Sequence, residues 1–563
     1  MSYLIADAKE QLSVKIKSAI KDLQGKGVFP DADMPDFILE VPGDKTHGDW
    51  ASNVAMVSAK LFKMPPVKIA ENIKNSLDLE GTYFDSCSIA GPGFLNFFYK
   101  EDFHAKVLTD VINKNSEYGK SGFGKGEKVM VEFVSANPTG PMHMGNARGG
   151  ALGDCLSAVL KTAGYDVYKE FYINDAGNQL DKFGMSLDIR YQQIINNSDK
   201  PELPEDAYHG DDIIEHAKSC VEKYSDTLMT LSEQDRRKKL VDYSLPKNIS
   251  KMKKDMQAYG VEYDNWFHES SLHESGEVDS TIECFKSKGL TYEKDGALWY
   301  KATDFGAEKD EVLVRANGKP TYFTVDVAYH KNKFDRGFQR LIDCWGADHH
   351  GHVARMKTAM NAIGENGDKL DIVLYQMVNL MKDGQIVRMS KRTGKAIQLM
   401  DLLDEVSKDA ARFTFNMHEP NISMDFDLGV AIKQNAENPV YYVQYAHARI
   451  CSILKNLEAD GIKFRVCTED ELMKLNSPEE IELTRYISIY TDEIIRSASL
   501  LDPSCITRYV IQLATLFHKF YNSCRVKGSE ESLMYARIQL CMAVKIIIKN
   551  ILDMFGIDIP DFM

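Results

Sequence analysis

The feature that most constrains this 563-residue chain is a change of pattern at Lys128. Val129-Met130-Val131-Glu132-Phe133-Val134 is a short apolar run of the kind that fills a buried parallel strand. A turn follows, Ser135-Ala136-Asn137-Pro138-Thr139-Gly140-Pro141, and then a stretch rich in small residues: Ala147, Gly149, Gly150, Ala151 and Gly153. Small residues let a helix lie close on a sheet. Residues 166–172 are the next strand candidate, and the pattern returns at 339–345 and 370–374. Strand, helix and strand in that order predict a βαβ unit in a doubly wound parallel sheet, an α/β fold.

A chain of this length exceeds one core, so further domains flank the sheet. Residues 1–115 read as a mixed α/β module, with a helix near 67–77 and a strand-like segment at 93–99. Leu12, Ile16, Ile20 and Leu23 recur at helical spacing near its start. The glycine-rich joint at 119–126 nearly matches a phosphate loop. However, Gly126 replaces the hydroxyl residue and a strand follows rather than precedes it, which predicts a flexible linker. Segments 116–190 and 311–434 carry the sheet pattern. Residues 191–310, polar and mostly helical in pattern, interrupt it as an insertion, and 435–563 read as an α-helical bundle.

Apolar content of 44% and charged content of 27% are those of an ordinary globular chain. The ten cysteines are scattered without a CxxC pair, which fits a reduced compartment and encodes no zinc ribbon. Nothing approaches the length of a membrane span, and the start lacks the apolar run of a signal peptide, so a cytoplasmic location is expected. A net charge of −15 excludes indiscriminate nucleic-acid binding but leaves room for local basic faces.

Two constellations carry chemistry. Pro141-Met142-His143-Met144-Gly145-Asn146 stands between strand and helix. His143 and Asn146 share one helical face, at a helix N-terminus whose free amides favour an anion. Gly145 lets a flat ring or a phosphate approach the backbone. Alone, this is equally a tight turn with an incidental histidine. The second constellation, Arg388-Met389-Ser390-Lys391-Arg392-Thr393-Gly394-Lys395, is a cation-dense loop after a sheet strand. A lysine there can neutralise a leaving pyrophosphate as charge develops, although a charge run is more often a solvated loop. The cluster from Gly346 through Asp348 to His352 lacks a companion with ligand spacing, so no protein-bound metal is expected.

Together the two constellations resemble the paired HIGH and KMSKS motifs of the class I aminoacyl-tRNA synthetases. Residues 131–141, Tyr172-Ile173-Asn174-Asp175-Ala176-Gly177-Asn178-Gln179 and residues 442–450 are similar to the arginyl branch, and residues 48–55 resemble its additional N-terminal domain. Two positions depart from the family pattern: Asn146 replaces a histidine, keeping a donor without the charge, and Arg388 replaces a lysine.

The resemblance implies a Rossmann-like catalytic domain with an insertion, an N-terminal domain that contacts the tRNA elbow and a C-terminal anticodon-binding bundle. It implies His143, Asn146 and Lys391 as catalytic residues. ATP would meet Pro141, His143, Gly145, Asn146, Gly346, Asp348, Met389, Ser390 and Lys391, with magnesium arriving on the nucleotide. Arginine would meet Glu132, Asn137, Tyr322 and Asp326, since the forked donors of a guanidinium match carboxylates. Tyr322 and Asp326 are also spaced one helical turn apart. Taken alone, Glu132 can also be read as half of an internal salt bridge, and Tyr322 is better read as ordinary packing. The implied partners are tRNA(Arg), L-arginine and ATP, the implied state is a monomer, and bound tRNA is implied to precede adenylate formation. The rivals are a tRNA-independent nucleotidyltransferase of the same fold and an inactive RNA-binding paralogue.

Overall fold

The N-terminal periodicity produces helix Leu4–Gly25, with Leu12, Ile16, Ile20 and Leu23 on its buried face. The computed structural model describes residues 3–382, 384–387 and 397–563. The first helix packs on helix Pro66–Ser76. Beside them an antiparallel sheet runs in the order β1-β2-β4-β3, with β1 Leu39–Glu40, β2 Trp50–Ser52, β3 Phe84–Ala90 and β4 Phe94–Tyr99.

The run after Lys128 becomes β5 (Lys128–Phe133), the middle strand of a five-stranded sheet. On one side lie β6 (Asp166–Ile173) and β7 (Asn265–His268). On the other lie β11 (Arg340–Gly346) and β12 (Leu370–Tyr375), and every pairing is parallel. The chain moves one way from β5 to β6 and later resumes on the opposite side at β11. The carboxyl ends of β5 and β11 therefore flank the topological switch point where open α/β sheets bind ligands. Helix Met144–Thr162 packs close because its small residues permit it: a Cβ on Gly153 would lie 2.1 Å from the Phe133 ring.

Two sequence expectations change. The stretch 191–310 is not purely interrupting, because β7 completes the sheet from within it. A four-residue edge strand among polar helices leaves little periodicity to read. The same stretch holds β8 (Thr291–Lys294) and β9 (Ala297–Tyr300), which form a small antiparallel sheet with β10 (Glu311–Val314). The joint at 119–126 is pinned rather than flexible. The amides of Ser121, Gly124 and Gly126 donate to the carbonyls of Thr162, Ala163 and Gly164. A Cβ on Gly119 would strike the Tyr490 ring at 2.5 Å, so that glycine permits close packing.

Beyond the sheet, β13 (Val378–Lys382) and β14 (Gln385–Ile386) form a hairpin, and β15 (Met424–Asp427) pairs in parallel with β13. The loop of the second constellation thus follows this hairpin rather than a strand of the main sheet. From Pro439 the chain is helical, the longest helices being Pro439–Ala459, Ser504–Ser523 and Glu531–Met554. This bundle shares a continuous core with the sheet and the N-terminal part. The buried Arg412 ties the catalytic part to the bundle: it meets Asp154 on the helix after β5, the Gly260 carbonyl and the Phe555 carbonyl. Among the described residues, no helix is long and apolar enough to cross a membrane.

Candidate active site

Beyond β5 the backbone turns sharply. Val134 and Ser135 have φ of 71° and 45°, the left-handed region in which a β-branched valine is strained. The turn sends Ser135 Oγ back to donate to Glu132 Oε1 at 2.7 Å, and the Tyr172 amide donates to the same hydroxyl at 3.2 Å. This fixes the root of the loop that carries Asn137 and Pro141 to His143. His143 caps helix Met144–Thr162, and Asn146 Oδ1 accepts the His143 amide at 3.0 Å. Partial desolvation lowers the His143 imidazole below its usual value, which favours a neutral ring. At Gly145, a Cβ would stand 3.1 Å from His143 Nδ1, so glycine leaves the ring its room.

Asn137, Pro141, His143 and Asn146 line one cavity of about 450 Å3, with Tyr208 and Asp212 reaching in from the insertion. Gly346 ends β11, the neighbour of β5, and the exposed Asp348 follows it on the same carboxyl edge. Met389, Ser390 and Lys391 lie outside the described residues. The chain returns beside His143, however: the Met144 amide donates to Ile397 O at 2.9 Å, and the Leu399 amide donates to Met142 O at 2.9 Å.

A second, acidic group of side chains stands just beyond β6 and β7 and on a neighbouring helix. Helix Tyr322–Asp335 places Tyr322 and Asp326 on one face, with Tyr322 46% exposed. Asp326 Oδ2 lies 3.1 Å from His352 Nε2. Sequence reasoning missed the third member, Glu269, which is 4% exposed and accepts the Tyr172 hydroxyl at 2.8 Å. Burial pushes the Glu269 carboxyl up to about 7. The Tyr172 hydrogen bond opposes this, and the charges of Asp326 and Asp175 add to it. Asp175 accepts the Ser270 amide at 2.9 Å and lies 2.8 Å from His268 Nδ1. Among the described residues, the ion-pair partners of these three carboxylates are histidines, with no lysine or arginine.

Glu132, expected to meet substrate, has a buried internal partner. Its Oε2 lies 2.5 Å from the Nζ of the fully buried Lys333, which also donates to Asp343 Oδ1 at 2.8 Å. His330 Nε2 stands 2.7 Å from Asp343 Oδ2. Burial raises the Glu132 carboxyl despite Lys333, whereas Lys333 and His330 overcome burial to hold Asp343 below its ordinary value. Glu132 belongs to a neutralised cluster beneath the cleft.

Family comparisons agree with this geometry. Residues 107–453 match the family described as tRNA synthetases class I (R), catalytic domain. Residues 10–99 match the arginyl tRNA synthetase N terminal domain, and 443–563 the DALR anticodon binding domain. The chain belongs to the class I arginyl-tRNA synthetases. It is 52% identical to an arginine–tRNA ligase of Acetivibrio thermocellus over 564 residues, covering 100% of both chains. The corresponding protein of Caldanaerobacter subterraneus subsp. tengcongensis gives the same identity and coverage. The crystal structure of Thermus thermophilus arginyl-tRNA synthetase superimposes with a TM-score of 0.75 at 19% identity. That match covers 98% of this chain and 100% of the other, a likeness of fold. The bundle carries a groove of about 430 Å3 lined by Tyr441, Tyr442, Tyr445, Arg449 and His518. Arg449 stacks between the rings of Tyr445 and Tyr521, 5.1 and 4.7 Å from their centroids.

Proposed function

We infer that this enzyme is an arginine–tRNA ligase whose cleft binds L-arginine by its charge at one end and activates its carboxylate at the other. The observation that carries the reading is the polarity of the cleft. Among the described residues, carboxylates without a lysine or arginine partner stand at Asp326, Glu269 and Asp175, and a helix N-terminus stands at His143 and Asn146. Arginine is a cation joined to a carboxylate, and the α-phosphate of ATP is the electrophile that carboxylate must reach.

In this reading the guanidinium and ammonium groups displace the histidine contacts of the acidic end, and Tyr322 and Asn137 orient the amino acid. Pro141, His143, Gly145, Asn146, Gly346 and Asp348 hold ATP, whose magnesium arrives with the nucleotide and needs no dedicated cage. The arginine carboxylate oxygen attacks the α-phosphorus, forming the mixed anhydride arginyl-adenylate and expelling pyrophosphate. Lys391 stabilises that leaving group. A hydroxyl of the terminal tRNA ribose then attacks the adenylate carbonyl, releasing AMP. Positioning and electrostatics supply the rate, because no covalent enzyme intermediate is formed. The bundle groove receives anticodon bases by stacking, and the N-terminal part meets the tRNA elbow.

ATP–pyrophosphate exchange across twenty amino acids, with and without a tRNA pool, tests the reading. Exchange with arginine alone, dependent on tRNA, is the expected result. Exchange indifferent to tRNA would favour a nucleotidyltransferase, and none at all an inactive paralogue.

A further inference from the structure

Arg148 stands two residues beyond Asn146 on the helix that His143 caps, and it is 1% exposed. A buried guanidinium ordinarily meets a carboxylate, because an unpaired charge in a low dielectric is costly. Arg412, equally buried, follows that rule through Asp154. Arg148 does not. Its donors meet three main-chain carbonyls: Gln376 O at 2.6 Å, Ile422 O at 2.9 Å and Glu419 O at 3.2 Å. Among the described residues no carboxylate joins them. Burial draws the guanidinium down to about 10, which still leaves it charged at neutral pH.

The three carbonyls belong to segments at the roots of the β13–β14 hairpin. Gln376 lies between β12 and β13, and Glu419 and Ile422 lead into β15, the parallel partner of β13. These segments also meet each other, since the Gln376 amide donates to Pro420 O at 3.0 Å. The hairpin leads through Val387 into residues 388–396, after which Ile397 returns to Met144. Arg148 therefore ties the base of that hairpin to the helix presenting His143 and Asn146. The next residue makes a related close contact: a Cβ on Gly149 would come within 2.8 Å of Tyr375 Oη, at the end of β12.

We propose that Arg148 is a positioning residue for adenylate formation. It fixes the base of the β13–β14 hairpin against the His143 helix, and its unneutralised charge reinforces the helix N-terminus in drawing the ATP polyphosphate there. Arg148 stands five residues from His143 on the same helix, a backbone rise of about 7.5 Å. The proposal rests on the reading of the cleft given above.

The test is arginine-dependent ATP–pyrophosphate exchange by the full-length protein with tRNA present, alongside thermal melting. Arg148→Lys keeps the charge but cannot span three carbonyls in one plane. It is expected to lower kcat about 10²-fold, the scale of a small misplacement of reacting groups, with the KM for arginine within about threefold of the parent. Arg148→Gln removes the charge as well, and should add a rise of about tenfold in the KM for ATP. A lower melting temperature with kcat and both KM values unchanged in the folded fraction would show that Arg148 is structural only, and would overturn the proposal. Should neither variant fold, Gly149→Ala decides, since it retains Arg148 and wedges a methyl against Tyr375. A lower kcat at unchanged arginine KM supports the proposal, and parental kinetics overturn it. A parent with no arginine-dependent exchange would instead refute the reading of the cleft itself.

Discussion

Carboxylates on β5, β6 and β11 and a second group just beyond β6 and β7 and on helix Tyr322–Asp335 are treated in opposite ways. Beneath the cleft, Glu132 and Asp343 share Lys333, and both oxygens of Glu170 receive Arg336 at 2.7 Å. At the mouth, Glu269, Asp326 and Asp175 are left to histidines and hydroxyl or amide donors. A protein that needed these acids only for its fold would neutralise both sets, because an unpaired buried charge is destabilising. The lower set secures the sheet. On the proposed reading, the upper set is completed by a cationic substrate.

The largest effects should come from the upper set. Glu269→Gln and Asp326→Asn each remove a charge that meets the substrate cation, with little change of shape. Breaking a desolvated pair costs roughly 3–5 kcal/mol, or about two to four powers of ten in kcat/KM for arginine. Steady-state kinetics would show this with melting temperatures near the parent's. Citrulline, which has the shape of arginine without its charge, should be discriminated against less by the variants. A variant within a few-fold of the parent would return that residue to the structural set.

Next in size is the loop. Lys391→Ala should lower kcat about 10²–10³-fold while leaving the arginine KM nearly unchanged, because its charge meets a leaving group that exists only during reaction. Single-turnover adenylate formation measures this directly. A smaller effect should come from the bundle, where Tyr445→Ala removes one stacking face worth about 1–3 kcal/mol per base. It should raise the KM for tRNA roughly ten- to hundredfold without altering arginine binding. Smallest in catalysis is Glu132→Gln. It should cost roughly 1–3 kcal/mol of stability in urea titration, yet leave the preference for arginine over citrulline intact. A collapse of that preference would place Glu132 among the substrate carboxylates.

Much of this was legible before any coordinates. The apolar run after Lys128 and the small residues behind it specify strand, close-packed helix and parallel sheet, because only those elements satisfy both patterns. The His143 turn was legible only beside the second constellation, since alone it is equally a tight turn with an incidental histidine. Glu269 was not. It follows a four-residue edge strand, Asn265–His268, too short to show alternation, inside a polar and largely helical stretch. The Glu132–Lys333 pair was invisible because its partners are 201 residues apart, and no local pattern reports a contact made by folding. The glycines at 119–126 misled for a related reason. Sequence shows their freedom, whereas the fold uses their lack of a side chain against Tyr490 and Tyr165.

The claim that the upper carboxylates await a cation makes a pH prediction of definite sign. Burial and its acidic neighbours raise the Glu269 carboxyl from 4.5 to about 7, so the free pocket holds a proton below that pH. Ionising this group costs the free enzyme stability as pH rises between those two values, a cost that bound arginine removes. The most direct measurement is equilibrium binding of arginine to the full-length protein from pH 5.5 to 8.5, for the parent and for Glu269→Gln. The parent's affinity should strengthen by up to tenfold per pH unit below about 7 and level off above it, with a proton released on binding near neutrality. Glu269→Gln should bind weakly at every pH and lose the slope. An affinity that is flat across that range and unchanged by Glu269→Gln would contradict the account.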